Sequence, residues 1–336
     1  MNSKPTGLFL LDDQYIDMIY SPAVRAEIES LAKMTAPPQT AASIRENPPP
    51  LAQAELLFSG WGMPALDAAF LAQAPRLKAV FYGAGSLRKI VTPKFWRCDI
   101  PIISAYSANA IPVAEFTLAQ ILFSLKAGWR HIRMTREERF FPIFPSPLPM
   151  AGAYHSTVGI ISLGAIGRCL VDLLRGHELN LLAYDPFVSP TEAARLGVEL
   201  CSLPDLFRRA DVVTLHAPLL PETEGLVTGE LLASMKPNAT FINTARGALV
   251  REQEMISVLS QRPDLYAVLD VTHPEPPDPA SPLFGLPNVI LTPHIAGSMG
   301  RECQRMGQLV LDELKRYLNG EPLQHRITRE IFATMA

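Results

Sequence analysis

The chain has 336 residues, 48% hydrophobic and 19% charged, with a formal net charge of −3. That length suits two domains with a large core, and the lack of a broad basic excess argues against nucleic acid as the main partner. Cys98, Cys169, Cys201 and Cys303 form no C-x-x-C pair, which argues against a disulfide framework or structural zinc and suits a reducing cytoplasm.

The apolar stretch Leu8 to Leu11 is too short for a signal peptide, and no segment reads as a membrane span. GLFLLDD reads as a strand. SPAVRAEIESLAKM reads as a helix with Ser21 as N-cap and Pro22 in its first turn. The proline-rich stretch from Pro37 to Pro50 reads as a surface loop. AELLFSG and LKAVFYG are strands flanking the helix PALDAAFLAQA, and IPIISA is another strand. Alternating strands and helices predict a parallel sheet covered on both faces. This first α/β domain ends near Asn109.

IPVAEFTLAQILFSLKAGWRHIR is the longest helical pattern, with Pro112 opening it. Arg130, Arg133, Arg136 and Arg139 form a basic stripe that, with Glu137 and Glu138 beside it, reads as a solvated or subunit-facing helix. Phe141 to Met150 reads as a proline-stiffened arm. A second α/β domain then runs through the strands TVGIIS, LNLLAYD, DVVTLHA, TFINTA, YAVLDV and NVILTPH. The terminal helix RECQRMGQLVLDELKRYLNG is placed back on the first domain. The expected division is therefore residues 1–108 with 296–336 for one domain, and 109–295 for the other.

TVGIISLGAIGRCLVDLL changes from strand to helix periodicity across a glycine turn, the phosphate-binding corner of a dinucleotide fold. Gly164 and Gly167 supply the second and third glycines of G-x-G-x-x-G, whereas Ser162 replaces the first. Asp185 closes the next strand about 20 residues on, where a carboxylate pairs with the adenosine ribose. That carboxylate repels a 2′-phosphate, so NAD is expected rather than NADP. No metal site is expected.

Ligands of open parallel sheets bind beyond the carboxyl ends of the strands. The polar and turn residues at or just past those ends are Asp185, His216 and Pro218, Arg246, Asp270 with Glu275, and His294. Arg246, Glu275 and His294 thus gather at one edge. His273 is taken as structural, and Asp270 either caps its turn or touches a cofactor amide.

The succession SLGAIGR, AYDP, HAPLLPETEGL, NTARGALV, LDVTHPEP and LTPHIAGS resembles the D-isomer-specific 2-hydroxyacid dehydrogenases. The resemblance implies two Rossmann-like or flavodoxin-like parallel-sheet domains with the active-site cleft between them. It places Arg246, Glu275 and His294 on the catalytic triad. Gly164, Ala165, Ile166, Gly167, Asp185, His216, Pro218, Thr244, Ala245 and Asp270 fall on dinucleotide positions. FYGAGS and SANAIPVAEF match the substrate loop and interdomain segment, which implicates Ala84, Gly85, Ser86 and Asn109, together with Arg246, in substrate binding. A homodimer is implied. Ser162, the loop LRKIVTP and the stretch SAYSAN depart from the family pattern.

The chemistry expected is reversible reduction of a 2-oxo acid by NADH to the 2-hydroxy acid, for which the resemblance implies the D-configuration. Arg246 holds the carboxylate, His294 as imidazolium gives the proton, and Glu275 favours that charged form. Trp61, Met63, Tyr106 and Met299 are read as an apolar wall favouring a 2-oxo acid with a carbon side chain. The rival readings are an NAD(H)-sensing corepressor-like binding protein and a hydrolase of the adenosylhomocysteine type.

Overall fold

The computed structural model describes residues 4–137, 139, 141 and 149–335. Most of the expected proline-stiffened arm, residues 142–148, lies outside them, as does Glu138. The chain divides into two compact units, Met1–Asn109 with Ser298–Ala336, and Ala110–Gly297.

The first unit holds β1 (Thr6–Leu10), β2 (Lys33–Met34), β3 (Leu56–Ser59), β4 (Ala79–Tyr82) and β5 (Ile102–Ser104). They form an all-parallel sheet in the order β2-β1-β3-β4-β5. Its helices are α1 (Asp13–Ile19), α2 (Pro22–Leu31), α3 (Ala41–Glu46), α4 (Pro49–Gln53) and α5 (Ala68–Gln73). Every residue of β3 and β4 is buried, as expected of parallel strands covered on both faces. Ser21 caps α2 through the Val24 N–H. Pro37 to Pro50, expected as a loop, instead contains α3 and the start of α4. Thr40 and Ser43 form a reciprocal capping box, and Pro49 and Pro50 open α4, where their missing N–H costs nothing.

Helix α6 (Tyr106–Leu125) carries the chain from one unit into the other. Pro112 lies inside this helix and does not open it. The start is set upstream, where the Tyr106 N–H donates to Ser104 Oγ at 3.2 Å. Ala127 then turns left-handed at φ 50, and α7 (Gly128–Arg136) comes next. By length and composition α6 is apolar enough to cross a membrane, with a mean hydropathy of 1.3, contrary to the sequence expectation. Its Ala114, Ile121 and Leu125 instead pack with Val158, Ile160 and Leu170 in the second unit's core. The basic stripe is also corrected at its first member. Arg130 lies 2.5 Å from Asn238 Oδ1 and 2.7 Å from the Asp264 carbonyl, over the Tyr266 ring, a structural clamp and not a solvated charge.

The second unit holds β6 (Thr157–Ile161), β7 (Asn180–Tyr184), β8 (Glu199–Leu200), β9 (Val212–Leu215), β10 (Thr240–Asn243), β11 (Tyr266–Leu269) and β12 (Val289–Leu291). Helices α8 (Ala165–Leu174), α9 (Pro190–Leu196), α10 (Leu203–Arg209), α11 (Gly229–Ala233) and α12 (Glu252–Gln261) alternate with them. The sheet is parallel throughout, in the order β12-β11-β10-β9-β6-β7-β8. Strand order reverses between β6 and β9, the switch point at which such sheets bind ligands. The chain then returns to the first unit as α13 (Cys303–Asn319) and α14 (Arg329–Thr334). Met306, Val310, Leu311 and Leu314 of α13 join Phe9, Phe58 and Phe81 in that unit's core.

Candidate active site

At the switch point, β6 runs into the glycine turn and then α8. Gly164 is the N-cap of α8, is exposed, and has no side-chain cap hydrogen bond. The first-turn N–H groups therefore face outward unclaimed by a capping side chain, a ready position for phosphate oxygens. Gly167 is obligatory for packing, because a Cβ there would stand 2.2 Å from the Ser162 carbonyl oxygen. Ser162 adopts φ 76, a left-handed conformation that costs a residue with a Cβ about 1–2 kcal/mol. Beyond β7, Asp185 accepts the Leu163 N–H at 2.7 Å and the Phe187 N–H at 2.9 Å, so it braces the turn as well as standing at its rim.

After β9, His216 is buried, with Nε2 2.9 Å from Thr214 Oγ1 and Nδ1 without a partner among the described residues. Burial pushes its imidazole down to about 3, so the ring is neutral at physiological pH. An orphaned buried ring nitrogen, an open helix N-terminus and a rim carboxylate together fit a dinucleotide. Ala165, Ile166 and Pro218 are half-buried nearby in sequence, while Thr244 and Ala245 are buried after β10. Thr244 Oγ1 lies 3.3 Å from Thr117 Oγ1.

Arg246, Glu275 and His294 come after the carboxyl ends of β10, β11 and β12, which are paired neighbours in register. Asn243, which sequence reasoning missed, sets the Arg246 backbone. Its buried amide donates to the Arg246 carbonyl at 3.1 Å and its Oδ1 accepts the Ala245 N–H at 3.0 Å. The only sequence signal was a polar residue closing a buried strand. Gly247 lets this loop press against the next one, since a Cβ would stand 2.0 Å from the Thr272 carbonyl. Burial lowers the Arg246 guanidinium from its ordinary value, and the negative charge of Glu275 opposes that shift. Among the described residues Arg246 forms no ion pair; its side chain donates to the Ala245 carbonyl at 2.6 Å.

His294 Nδ1 lies 2.5 Å from Glu275 Oε1. The His294 backbone is left-handed at φ 55, an unusual conformation for a residue other than glycine. Asp270 holds it there. Its buried carboxylate accepts Thr292 Oγ1 at 2.5 Å and the Ile295 and Ala296 N–H groups at 2.9 Å each, and its carbonyl accepts the His294 N–H at 3.0 Å. Of the two readings of Asp270, the turn-holding one describes these contacts. His273 is exposed, and its backbone N–H donates to Glu252 at 2.9 Å.

In the first unit, Asn109 Oδ1 accepts the Ser298 N–H at 2.9 Å, and its Nδ2 lies 3.5 Å from where a Cβ on Gly85 would be. Ser104, part of the departing SAYSAN stretch, is buried with its hydroxyl 3.0 and 2.6 Å from the Ala84 and Gly85 carbonyls. It braces the loop that carries Ser86. Arg88, in the departing LRKIVTP loop, donates to the Ala333 and Met335 carbonyls and lies over the Phe332 ring. Of the expected apolar wall, Trp61, Met63 and Tyr106 share one apolar cluster. Met63 is buried there beside Leu66 and Phe70, Trp61 packs edge-on against Tyr15, and Met299 is 54% exposed.

Two parallel α/β units, one with a glycine turn at its switch point, define a dinucleotide-binding type of protein. Residues 118–296 match the family model of the D-isomer specific 2-hydroxyacid dehydrogenase NAD binding domain. The chain is 35% identical over 256 residues to D-3-phosphoglycerate dehydrogenase of Mycobacterium bovis, covering 76% of this chain and 48% of that one. It is 33% identical to (S)-sulfolactate dehydrogenase of Chromohalobacter salexigens over 79% of this chain and 88% of that one. A D-isomer specific 2-hydroxyacid dehydrogenase of Xanthobacter autotrophicus, solved with NADPH, superposes with a TM-score of 0.75 at 23% identity, covering 98% of this chain and 100% of that one. The chain belongs to the D-isomer specific 2-hydroxyacid dehydrogenase family. It spans about half the length of the D-3-phosphoglycerate dehydrogenase relatives it matches.

Proposed function

We propose that this chain is an NAD-dependent 2-hydroxyacid dehydrogenase that works as a reductase of a 2-oxo acid. The observation that carries the reading is the 2.5 Å pair of His294 and Glu275, beside an Arg246 whose guanidinium is free of any ion pair among the described residues. The second unit is assigned to the dinucleotide through Gly164, Ala165, Ile166, Gly167, Asp185, His216, Pro218, Thr244 and Ala245. Substrate contact in the first unit is assigned to Ala84, Gly85, Ser86 and Asn109. A reduced dinucleotide held by these residues would supply the hydride.

Arg246 presents a planar charged fork that holds the substrate carboxylate and polarises its carbonyl. His294 has Nδ1 committed to Glu275, which leaves Nε2 to deliver a proton as the carbonyl oxygen gains negative charge. In the oxidative direction the same nitrogen takes the proton back. Asp185 favours NAD over NADP, because its carboxylate repels a 2′-phosphate. Family membership supports a D-configured product, a homodimer and a cytoplasmic setting.

Following NADH absorbance with pyruvate, glyoxylate and phenylpyruvate tests the reading. Consumption with a 2-oxo acid supports the reductase. Tight NADH binding with no consumption favours the dinucleotide-sensing binding protein.

A further inference from the structure

The one departure inside the phosphate turn has a geometry that suggests a use. Ser162 holds φ 76, where a glycine would sit unstrained, yet the chain keeps a side chain there. Helix capping does not account for it, since α8 is capped at Gly164 with no side-chain hydrogen bond. The hydroxyl stands 3.5 Å from Asp185 Oδ2, at the outer limit of a hydrogen bond. That same oxygen already holds the Leu163 N–H at 2.7 Å. On its other side the hydroxyl borders the open turn: a Cβ built on Gly164 would meet Ser162 Oγ at 3.9 Å and no other heavy atom within 4 Å beyond its chain neighbours.

Counting lone pairs decides where the hydroxyl hydrogen goes. A carboxylate offers about four acceptor positions. Leu163 and Phe187 take two of those on Asp185, and the two hydroxyls of a bound ribose would take the rest. Nothing on Asp185 then remains for Ser162. A pyrophosphate bound at the open helix N-terminus would offer a charged acceptor, and hydrogen bonds to such oxygens are the stronger kind.

Resting on the dinucleotide reading above, we propose that Ser162 is a cofactor contact whose hydroxyl donates to the pyrophosphate, a bond that glycine at this position cannot make. Dissociation constants of NADH and ADP-ribose, measured by fluorescence and calorimetry on the full chain without substrate, test it in S162A and S162G. Both variants are expected to bind both ligands about three- to tenfold more weakly, the effect of one hydrogen bond. Thermal unfolding separates strain from contact: S162G is expected to melt above the wild type and S162A is not. Unchanged affinity in S162A overturns the proposal, as does wild-type affinity in S162G alongside a loss in S162A. If the wild type binds neither NADH nor ADP-ribose, the dinucleotide reading itself falls, and this contact with it.

Discussion

His294 Nδ1 and Glu275 Oε1 stand 2.5 Å apart, although they reach each other from different strand ends, after β12 and β11. The pair exists because β11 and β12 are parallel neighbours and Asp270, at the end of β11, ties down the segment after β12. The imidazole is thereby tied to one carboxylate.

Replacing Glu275 with Gln keeps the shape and removes the charge. Reduction at pH 7 should fall roughly 10- to 100-fold, the size of a lost charge-assisted hydrogen bond. Steady-state kinetics of the variant check this, and an unchanged rate of reduction would contradict the role given to Glu275.

Asp270→Asn puts an amide where a buried carboxylate accepts three hydrogen bonds. One amide N–H must then face a donor, which should cost about 1–3 kcal/mol. Urea unfolding measures the loss, and a variant as stable as the wild type would mean that Asp270 does not hold His294 in place.

His216 makes stability depend on acid. Its folded-state value, about 3, lies below the ordinary 6.5, so between those limits the unfolded chain takes up the proton first. Stability is therefore complete above about pH 6.5 and should fall as the pH drops towards 3, by up to about 1.4 kcal/mol per pH unit from this residue. His216→Gln should flatten that slope by one proton in urea titrations at pH 4 to 7. An unchanged slope would mean the ring is hydrated in solution.

Gly167→Ala drives a methyl to within 2.2 Å of the Ser162 carbonyl oxygen. Backbone must move to admit it, at about 1–3 kcal/mol, and the phosphate turn moves with it. A lower melting temperature together with weakened NADH binding is expected. Loss of binding at unchanged stability would instead point to a contact made by Gly167 itself.

Much of the site could be read from residue order because the strands are plain β-branched runs. Once TFINTA, YAVLDV and NVILTPH are parallel strands, Arg246, Glu275 and His294 must lie along one sheet edge. The supporting polar groups left no such trace. Asn243 and Ser104 act on backbone carbonyls and amides, and nothing in their neighbours distinguishes a bracing amide or hydroxyl from an ordinary strand-end residue. Helices α3 and α4 were hidden because prolines read as loop, whereas at a helix start they are tolerated. Pro112 misled in the opposite sense, since Ser104 Oγ had already fixed the start of α6 one turn and more upstream. Arg130 looked solvated because its acceptors, Asn238 and the Asp264 carbonyl, lie more than a hundred residues away in sequence.

The most direct test of the proposed chemistry is a single comparison of kcat and NADH affinity in His294→Asn, with a 2-oxo acid that the wild type reduces. The expected result is a kcat lower by roughly 10²- to 10⁴-fold with an NADH dissociation constant within about twofold of the wild type, since His294 serves proton transfer and not cofactor binding. An unchanged kcat would contradict this role.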